Sequence, residues 1–186
     1  IFYDEASKQY IITWHASFPG LSEQPWWEGM RTCYVLTSNF ETFTKADRLF
    51  NFTGVDEDMA TIDTIIRKVG DTYYAIIKDE RWPDKSATAK TIRIATSANL
   101  TGPYSNPGPS ITPEGYEAPT LVQSMDEKSW YLYAEKFPHA YHLFKSSTLT
   151  GSIWSEVQFT PPVARHGSVL KVDEEEYSNI VKAYTI

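Results

Sequence analysis

The chain has 186 residues, of which 41% are hydrophobic and 15% aromatic, a size that suits one domain with a buried core rather than two full-sized domains. Seventeen Lys and Arg against 24 Asp and Glu give a formal charge of −7, which argues against nucleic acid or an anionic membrane as partner. Cys33 is the single cysteine, so no intrachain disulfide forms, and no apolar run is long enough to cross a bilayer.

In chain order, the sequence contains three copies of a hairpin pattern in which a strand, a polar turn and an aromatic-rich strand follow one another. The paired strands are predicted at 1–3 with 10–14, 64–68 with 73–77, and 120–123 with 130–133. Each hairpin is followed by an apolar segment that ends in a short turn, at 34–40, 92–100 and 143–149. A fourth short strand in each copy is expected to carry Phe43, Tyr104 or Trp154.

A four-stranded unit that recurs roughly every 50 to 60 residues is typical of a β-propeller, where each sheet buries its faces against its neighbours. We therefore predict an all-β fold of the β-propeller type, with a single domain over 1–186 that holds about three and a half blades. The blades are predicted at 1–49, 60–106, 116–160 and, as one strand only, 163–172. Because a propeller needs about four or more blades to close, we expect the domain to be incomplete at its N-terminus and completed by a missing blade or another chain.

A terminal helix is predicted over 173–182, after the last strand. Asp173 stands at the N-cap position, and Glu176 follows three residues later. This spacing is that of a capping box, in which each side chain accepts a hydrogen bond from the other residue's backbone N–H.

Three polar residues precede the innermost strands of successive repeats: Asp63, Glu117 and His166. Innermost strands line the channel of a propeller, so two carboxylates and an imidazole are expected to face one cavity. Cleavage of a glycosidic bond requires two such carboxyl groups, one protonated to donate to the leaving oxygen and one ionised. Neighbouring carboxylates push each other's pKa values apart. The alternative, that Asp63 and Glu117 are ordinary turn acids, stays open at this point.

Hairpin geometry brings the ends of second strands beside the starts of first strands. Trp14 and Lys78 are therefore expected at the same rim, as are His15, Glu80 and Glu135. Trp26 and Trp27 lie in a long insertion between two strands of the first repeat. These two, or Trp82, either stack on a sugar ring or pack on the neighbouring blade.

The order and spacing of these motifs resemble glycoside hydrolase family 43 and related five-bladed propellers, over nearly the whole chain. The resemblance is carried by 60–66, 70–74, 78–80, 96–104, 117–120 and 164–169. It implies that Glu117 is the general acid, that Asp63 raises the pKa of this acid and orients it, and that Arg165 reaches the sugar. His166 matches a central histidine that lies beside a bound calcium ion or water, and no cofactor is otherwise required.

The resemblance also implies the reaction, which is inverting hydrolysis of arabinosyl or xylosyl linkages in an oligosaccharide or plant polysaccharide. In the family an aspartate of the first blade activates water, and no residue here matches it, since Asp4 falls in an outward hairpin turn. The chain alone is therefore expected to be inactive.

Two other functions stay open from the sequence. A carbohydrate-binding propeller would keep the sugar pocket without turnover, and invertase-like or mannoside phosphorylase propellers share the architecture. Asn51 and Asn99 begin triplets of the N-glycosylation type, which either occur by chance or suit a secreted or extracytoplasmic protein.

Overall fold

The computed structural model describes residues 1–17, 27–151, 154–162 and 165–184. Within these residues the chain forms three antiparallel sheets, each with its strands in sequence order. This confirms the predicted all-β class. No helix in the described part of the chain is long and apolar enough to cross a membrane.

The sheets follow one another along the chain. The first sheet contains β1 (Phe2–Asp4), β2 (Gln9–Ser17), β3 (Met30–Thr37) and β4 (Asp47–Arg48). A 3-10 turn at Gly54–Asp56 leads to the second sheet, with β5 (Thr61–Val69), β6 (Thr72–Asp79) and β7 (Ile92–Ser97). The third sheet contains β8 (Tyr116–Gln123), β9 (Trp130–Lys136), β10 (Ala140–Ser146) and β11 (Ser155–Val157), and helix α1 covers Glu174–Tyr184.

Two hydrophobic layers hold the three sheets together, and strand β6 contributes to both. Ala75 and Ile77 belong to the layer between the first and second sheets. Tyr74 and Ile76 pack in the layer between the second and third sheets. Successive side chains of a strand point to opposite faces, so the middle sheet is covered on both sides, as expected for a blade between two others.

The fourth strand of the second sheet is irregular. Instead of a strand around Tyr104, the segment 105–111 runs beside β7, and its N–H groups at Ser105, Gly108 and Ile111 donate to β7 carbonyls at 2.8–2.9 Å. Prolines at 103, 107 and 109 interrupt this segment. Because proline has no N–H to donate, a regular ladder does not form. In the first sheet the fourth strand lies at Asp47–Arg48 rather than at Phe43.

The structure also differs from the sequence prediction in the predicted strand of the fourth blade. The described residues of this segment, 165–172, form no strand. They lie against the third sheet, where the Val169 N–H donates to Thr120 Oγ1 at 3.2 Å and the Gly167 N–H to the Tyr141 hydroxyl. The chain continues from this segment directly into helix α1, so no second strand of the same blade follows for the segment to pair with.

Helix α1 begins with the predicted capping box. The Asp173 N–H donates to Glu176 Oε2 at 2.9 Å, and the Glu176 N–H donates to Asp173 Oδ1 at 2.8 Å. The two reciprocal bonds satisfy backbone donors that a helix start leaves unpaired.

A buried ion network fixes the end of β6. Asp56 accepts hydrogen bonds from Arg81 at 2.8 Å and from Arg93 at 2.6 and 3.0 Å. Asp79 accepts from Arg81 at 2.7 Å and 3.0 Å and from Arg93 at 3.3 Å. All four side chains are buried, so each charge depends on its partners, because an unpaired buried charge is strongly destabilising.

Asp4 joins the first blade to the second. Its buried carboxylate accepts hydrogen bonds from the Tyr73 hydroxyl at 2.9 Å and from Lys68 Nζ at 3.3 Å. Ser7 donates to the other oxygen through its N–H and its hydroxyl. Burial alone would raise the pKa of Asp4, but these hydrogen bonds outweigh it and hold the pKa far below its usual range.

We predict that Asp4→Asn lowers the free energy of unfolding by about 2 kcal/mol at neutral pH, the size of a charge-assisted hydrogen bond. Because the native pKa is depressed, this stabilisation is present above the unfolded pKa of Asp near 4 and is lost as the pH falls below it. Urea unfolding of both proteins should therefore show a gap that shrinks on acidification. Asp71→Asn, in an exposed hairpin turn, is the matched control, and a gap that is the same at pH 7 and pH 3 would contradict the assignment.

Candidate active site

A cavity of about 540 Å³ opens between the three sheets, within the range of small-molecule sites. Eight residues that the sequence predicts for the site or its rim line it: His15, Trp27, Asp63, Lys78, Glu80, Trp82, Glu117 and His166. They come from separate segments of the chain, and the propeller arrangement brings them together.

Asp63 lies in a β-bulge of β5, and Glu117 directly precedes the equivalent bulge of β8. Regular pairing of β5 with β6 is interrupted between Ile62 and Ile65, and pairing of β8 with β9 between Glu117 and Thr120. A β-bulge bends its strand and re-aims a side chain, and bulges are frequent next to active sites.

The sequence predicts that Asp63 and Glu117 hold equivalent positions in their strands, but the β-bulges show that these positions differ by one residue. Asp63 and Ala118 both have a φ of 49°, and His166 has a φ of 50°, in the left-handed region that is costly for these residues. Asp63 therefore corresponds to Ala118, and Glu117 corresponds to Ile62. The two carboxylates face one cavity from adjacent register positions rather than from the same one.

Asp63 contacts the strand that carries Glu117 through the backbone. Its Oδ2 accepts a hydrogen bond from the Ala118 N–H at 3.0 Å. Its Oδ1 lies 3.8 Å from His15 Nδ1. Because Ala118 directly follows Glu117, this hydrogen bond fixes the backbone from which the glutamate side chain projects.

Glu117 has the properties that a general acid needs. Its side chain is 16% exposed, and Oε1 lies 3.6 Å from His166 Nε2. Burial raises the pKa of Glu117 above its usual value, and the carboxylates of Asp63 and Glu80 raise it further, while Lys78 and His166 oppose this shift without cancelling it. A carboxyl group with a raised pKa stays protonated to higher pH than a free one, which favours its use as a proton donor.

Glu135 holds the segment that carries His166. This fully buried glutamate accepts a hydrogen bond from Arg165 Nε at 2.6 Å, and its Oε2 lies 3.5 Å from His166 Nε2. Arg165 also lies over the Phe137 ring, 5.4 Å from its centroid. The resemblance implied that Arg165 contacts the sugar. Arg165 is, however, not among the described residues that line the cavity.

The predicted calcium site can be tested against these donors. Carboxylate oxygens of Glu117 and Glu135 and a ring nitrogen of His166 lie within 4.8 Å of one another. Calcium takes six to eight oxygen ligands, whereas this set offers two carboxylates and a nitrogen, and Arg165 already pairs with Glu135. These side chains therefore do not fit a calcium ion as its direct ligands.

Trp14 and Trp27, both predicted for the site, line different cavities. Trp14 lines a different cavity of about 620 Å³ with Cys33 and Lys45, so its predicted place at the rim is wrong. Successive residues of a strand face opposite sides, and it is His15 that faces the active-site cavity. Trp26 lies outside the described residues.

Sequence reasoning missed several residues that line the cavity, among them Lys90 and Phe137. Both lie in connections between the second and third strands of a sheet, at 80–91 and 137–139. These connections differ in length from one repeat to the next, so the repeat pattern gives no signal for them.

Comparison with known proteins identifies a family and a fold. A family model described as "Probable glycosyl hydrolase domain", related to family 43, matches residues 1–178. No curated protein matches the chain.

Solved structures show the fold. A variant of the exo-β-1,3-galactanase of Phanerochaete chrysosporium, crystallised with β-1,3-galactotriose, has a TM-score of 0.54 and 15% identity, over 84% of this chain and 34% of that one. The xylan β-1,4-xylosidase of Bacillus halodurans has a TM-score of 0.53 and 14% identity, over 93% of this chain and 37% of that one. The chain thus spans about a third of the length of these structures, and the likeness confirms the predicted β-propeller.

We predict that Asp63→Asn lowers the pKa of Glu117, because a negative charge that disfavours ionisation is removed. Asparagine keeps an oxygen that can accept the Ala118 N–H, so the backbone is preserved. Carbon-13 NMR of labelled glutamate side chains measures the titration directly, and Asp71→Asn at the far end of the same hairpin is the control. An unchanged or raised pKa would show that Asp63 does not act on Glu117.

Proposed function

Since the chain belongs to the family of probable glycosyl hydrolase domains related to glycoside hydrolase family 43, we propose that its cavity binds a glycoside and that Glu117 protonates the leaving oxygen. One observation carries this proposal. Glu117 is a partly buried carboxyl group with a raised pKa, in a cavity that also contains a second carboxylate and tryptophan side chains.

The proposed reaction gives Glu117, Asp63 and Lys78 different roles. Protonated Glu117 donates its proton to the oxygen of the scissile bond as that bond breaks, which leaves Glu117 ionised. Asp63 keeps the strand in place through the Ala118 N–H and disfavours early ionisation of Glu117. Lys78, in the wall of the cavity, binds a polar group of the sugar. No cofactor takes part.

Inverting hydrolysis also needs a carboxylate that activates water, roughly 6.5–9.5 Å from the acid. We assign this role to no residue of the chain, and propose that the chain binds the sugar and supplies the acid without turnover on its own. Arabinosyl or xylosyl linkages are the proposed substrate class. We also propose that the protein is secreted, because a plant polysaccharide lies outside the cell that degrades it.

Azide provides the test, because a small anion can replace a missing base by attacking the sugar directly. We expect that p-nitrophenyl β-xyloside or α-arabinofuranoside is turned over only when azide is added, and that the glycosyl azide formed has the inverted configuration. Turnover without azide would show that the base lies within the chain. Binding without turnover in either condition would favour the carbohydrate-binding alternative, and turnover of a β-galactoside alone would overturn the proposed linkage.

We predict that Glu117→Gln lowers the azide-dependent rate on phenyl β-xyloside, whose phenol leaves poorly as an anion, by about 100-fold or more, the usual contribution of a general acid. Binding of xylobiose should change little, because glutamine keeps the shape of the side chain. Glu114→Gln, an exposed glutamate three residues earlier, is the matched control. Equal rates for Glu117→Gln and the wild-type chain would contradict the assignment of the acid.

A further inference from the structure

One wall of the cavity is built by the end of β6 and the residues after it, and its charged groups act on the Glu117 carboxyl group only through their electric field. Lys78, Glu80 and Trp82 line the cavity. Asp79 and Arg81, which alternate with them, are buried in the ion network with Asp56 and Arg93. The network therefore fixes the backbone from which three side chains project into the cavity.

One carboxylate oxygen in this wall lacks a hydrogen-bond partner among the described residues, and a buried ammonium faces it at ion-pair distance. This oxygen is Glu80 Oε2, which is buried. Lys78 is 2% exposed, and its Nζ lies 3.6 Å from Glu80 Oε2, beyond hydrogen-bond distance. Burial lowers the pKa of Lys78 despite the carboxylates around it. A buried polar group without a partner costs free energy, and a hydroxyl group can donate to the carboxylate and accept from the ammonium at the same time.

Beside these groups lies an aromatic ring that a cation holds in place. Trp82 is 44% exposed at the cavity. Lys90 Nζ lies 4.5 Å from the ring centroid and also pairs with Glu80 Oε1 and donates to the Glu80 carbonyl at 3.1 Å. The Lys90 ammonium therefore contacts both the Glu80 carboxylate and the Trp82 ring, and fixes the orientation of the ring relative to the carboxylate.

We propose that Lys78, Glu80 and Trp82 form an anchoring corner for a neutral sugar ring. The C–H face of the ring stacks on Trp82, and a ring hydroxyl lies between Glu80 Oε2 and Lys78 Nζ. The corner selects against a uronic acid, because Lys78 already faces Glu80 and a further carboxylate would be repelled by the carboxylate of Glu80. This proposal rests on the proposed function, since it names how that cavity binds its substrate.

Calorimetric titration with xylobiose and β-1,3-galactobiose as probes tests the corner. For the probe that binds the wild-type chain, we expect Trp82→Ala and Glu80→Gln each to weaken binding at least tenfold, and Trp82→Phe to restore most of the affinity. Trp14→Ala is the matched control, because Trp14 is 40% exposed but lines the other cavity, and it should change affinity less than twofold. Digalacturonic acid should bind at least tenfold more weakly than the neutral probes.

The outcomes separate this proposal from the catalytic one. Unchanged affinity in Trp82→Ala and Glu80→Gln, together with loss of azide-dependent turnover in Glu117→Gln, would overturn the corner and leave the acid in place. Weakened binding with no effect of Glu117→Gln on turnover would keep the corner and overturn the acid. If neither neutral probe binds the wild-type chain, the corner is overturned. Glu80→Gln keeps the size of the side chain, and a melting curve that matches the wild type excludes unfolding as the cause of lost binding.

Discussion

The hydrogen bond from the Ala118 backbone to the Asp63 carboxylate is the interaction on which the site depends. It joins the inner strands of two blades at the point where both strands leave regular pairing. The left-handed backbone at Asp63 and Ala118 is costly in isolation, and the two hydrophobic layers that pack the blades together hold it. The position of Glu117 relative to Asp63 is therefore set by backbone geometry, and so is the electrostatic effect of Asp63 on the pKa of Glu117.

The rest of the cavity follows from the alternation of side chains along a strand. At the end of β6, the residues that point away from the cavity are paired within a buried ion network, and the residues between them point into it. Among the described residues, no hydrogen bond or ion pair joins the network to Glu117. The network nevertheless fixes the backbone of the cavity wall that carries Lys78, Glu80 and Trp82. The cavity therefore has two parts. One is a wall with the Trp82 ring and with Glu80 Oε2, which has no hydrogen-bond partner among the described residues, and the other is the Glu117 carboxyl group with its raised pKa.

Periodic features of this fold could be predicted from the sequence. The hairpin repeat, the capping box of α1 and the convergence of Asp63, Glu117 and His166 on one cavity all follow from spacing. The bulge at Ala118 could not, because it shifts a register by one residue without changing the apolar pattern. The predicted place of Trp14 was wrong for another reason: both Trp14 and His15 were expected at the rim, although successive residues of a strand face opposite sides. Prolines 103, 107 and 109 make the fourth strand of the second sheet irregular. The pairing of Asp56 with Arg93 joins segments that are distant in sequence, and no local pattern marks such a pair.

The central claim is that Glu117 gives its proton to the leaving group, and the dependence of rate on the leaving group tests this most directly. The azide-dependent rates of the wild-type chain and of Glu117→Gln would be compared on aryl xylosides whose phenols range from strongly acidic to weakly acidic. An acid matters little for a phenol that leaves readily as an anion and matters most for a basic one. The account predicts that the rate loss in Glu117→Gln is small for dinitrophenol and grows steadily as the phenol becomes more basic. An equal loss on every leaving group would contradict it.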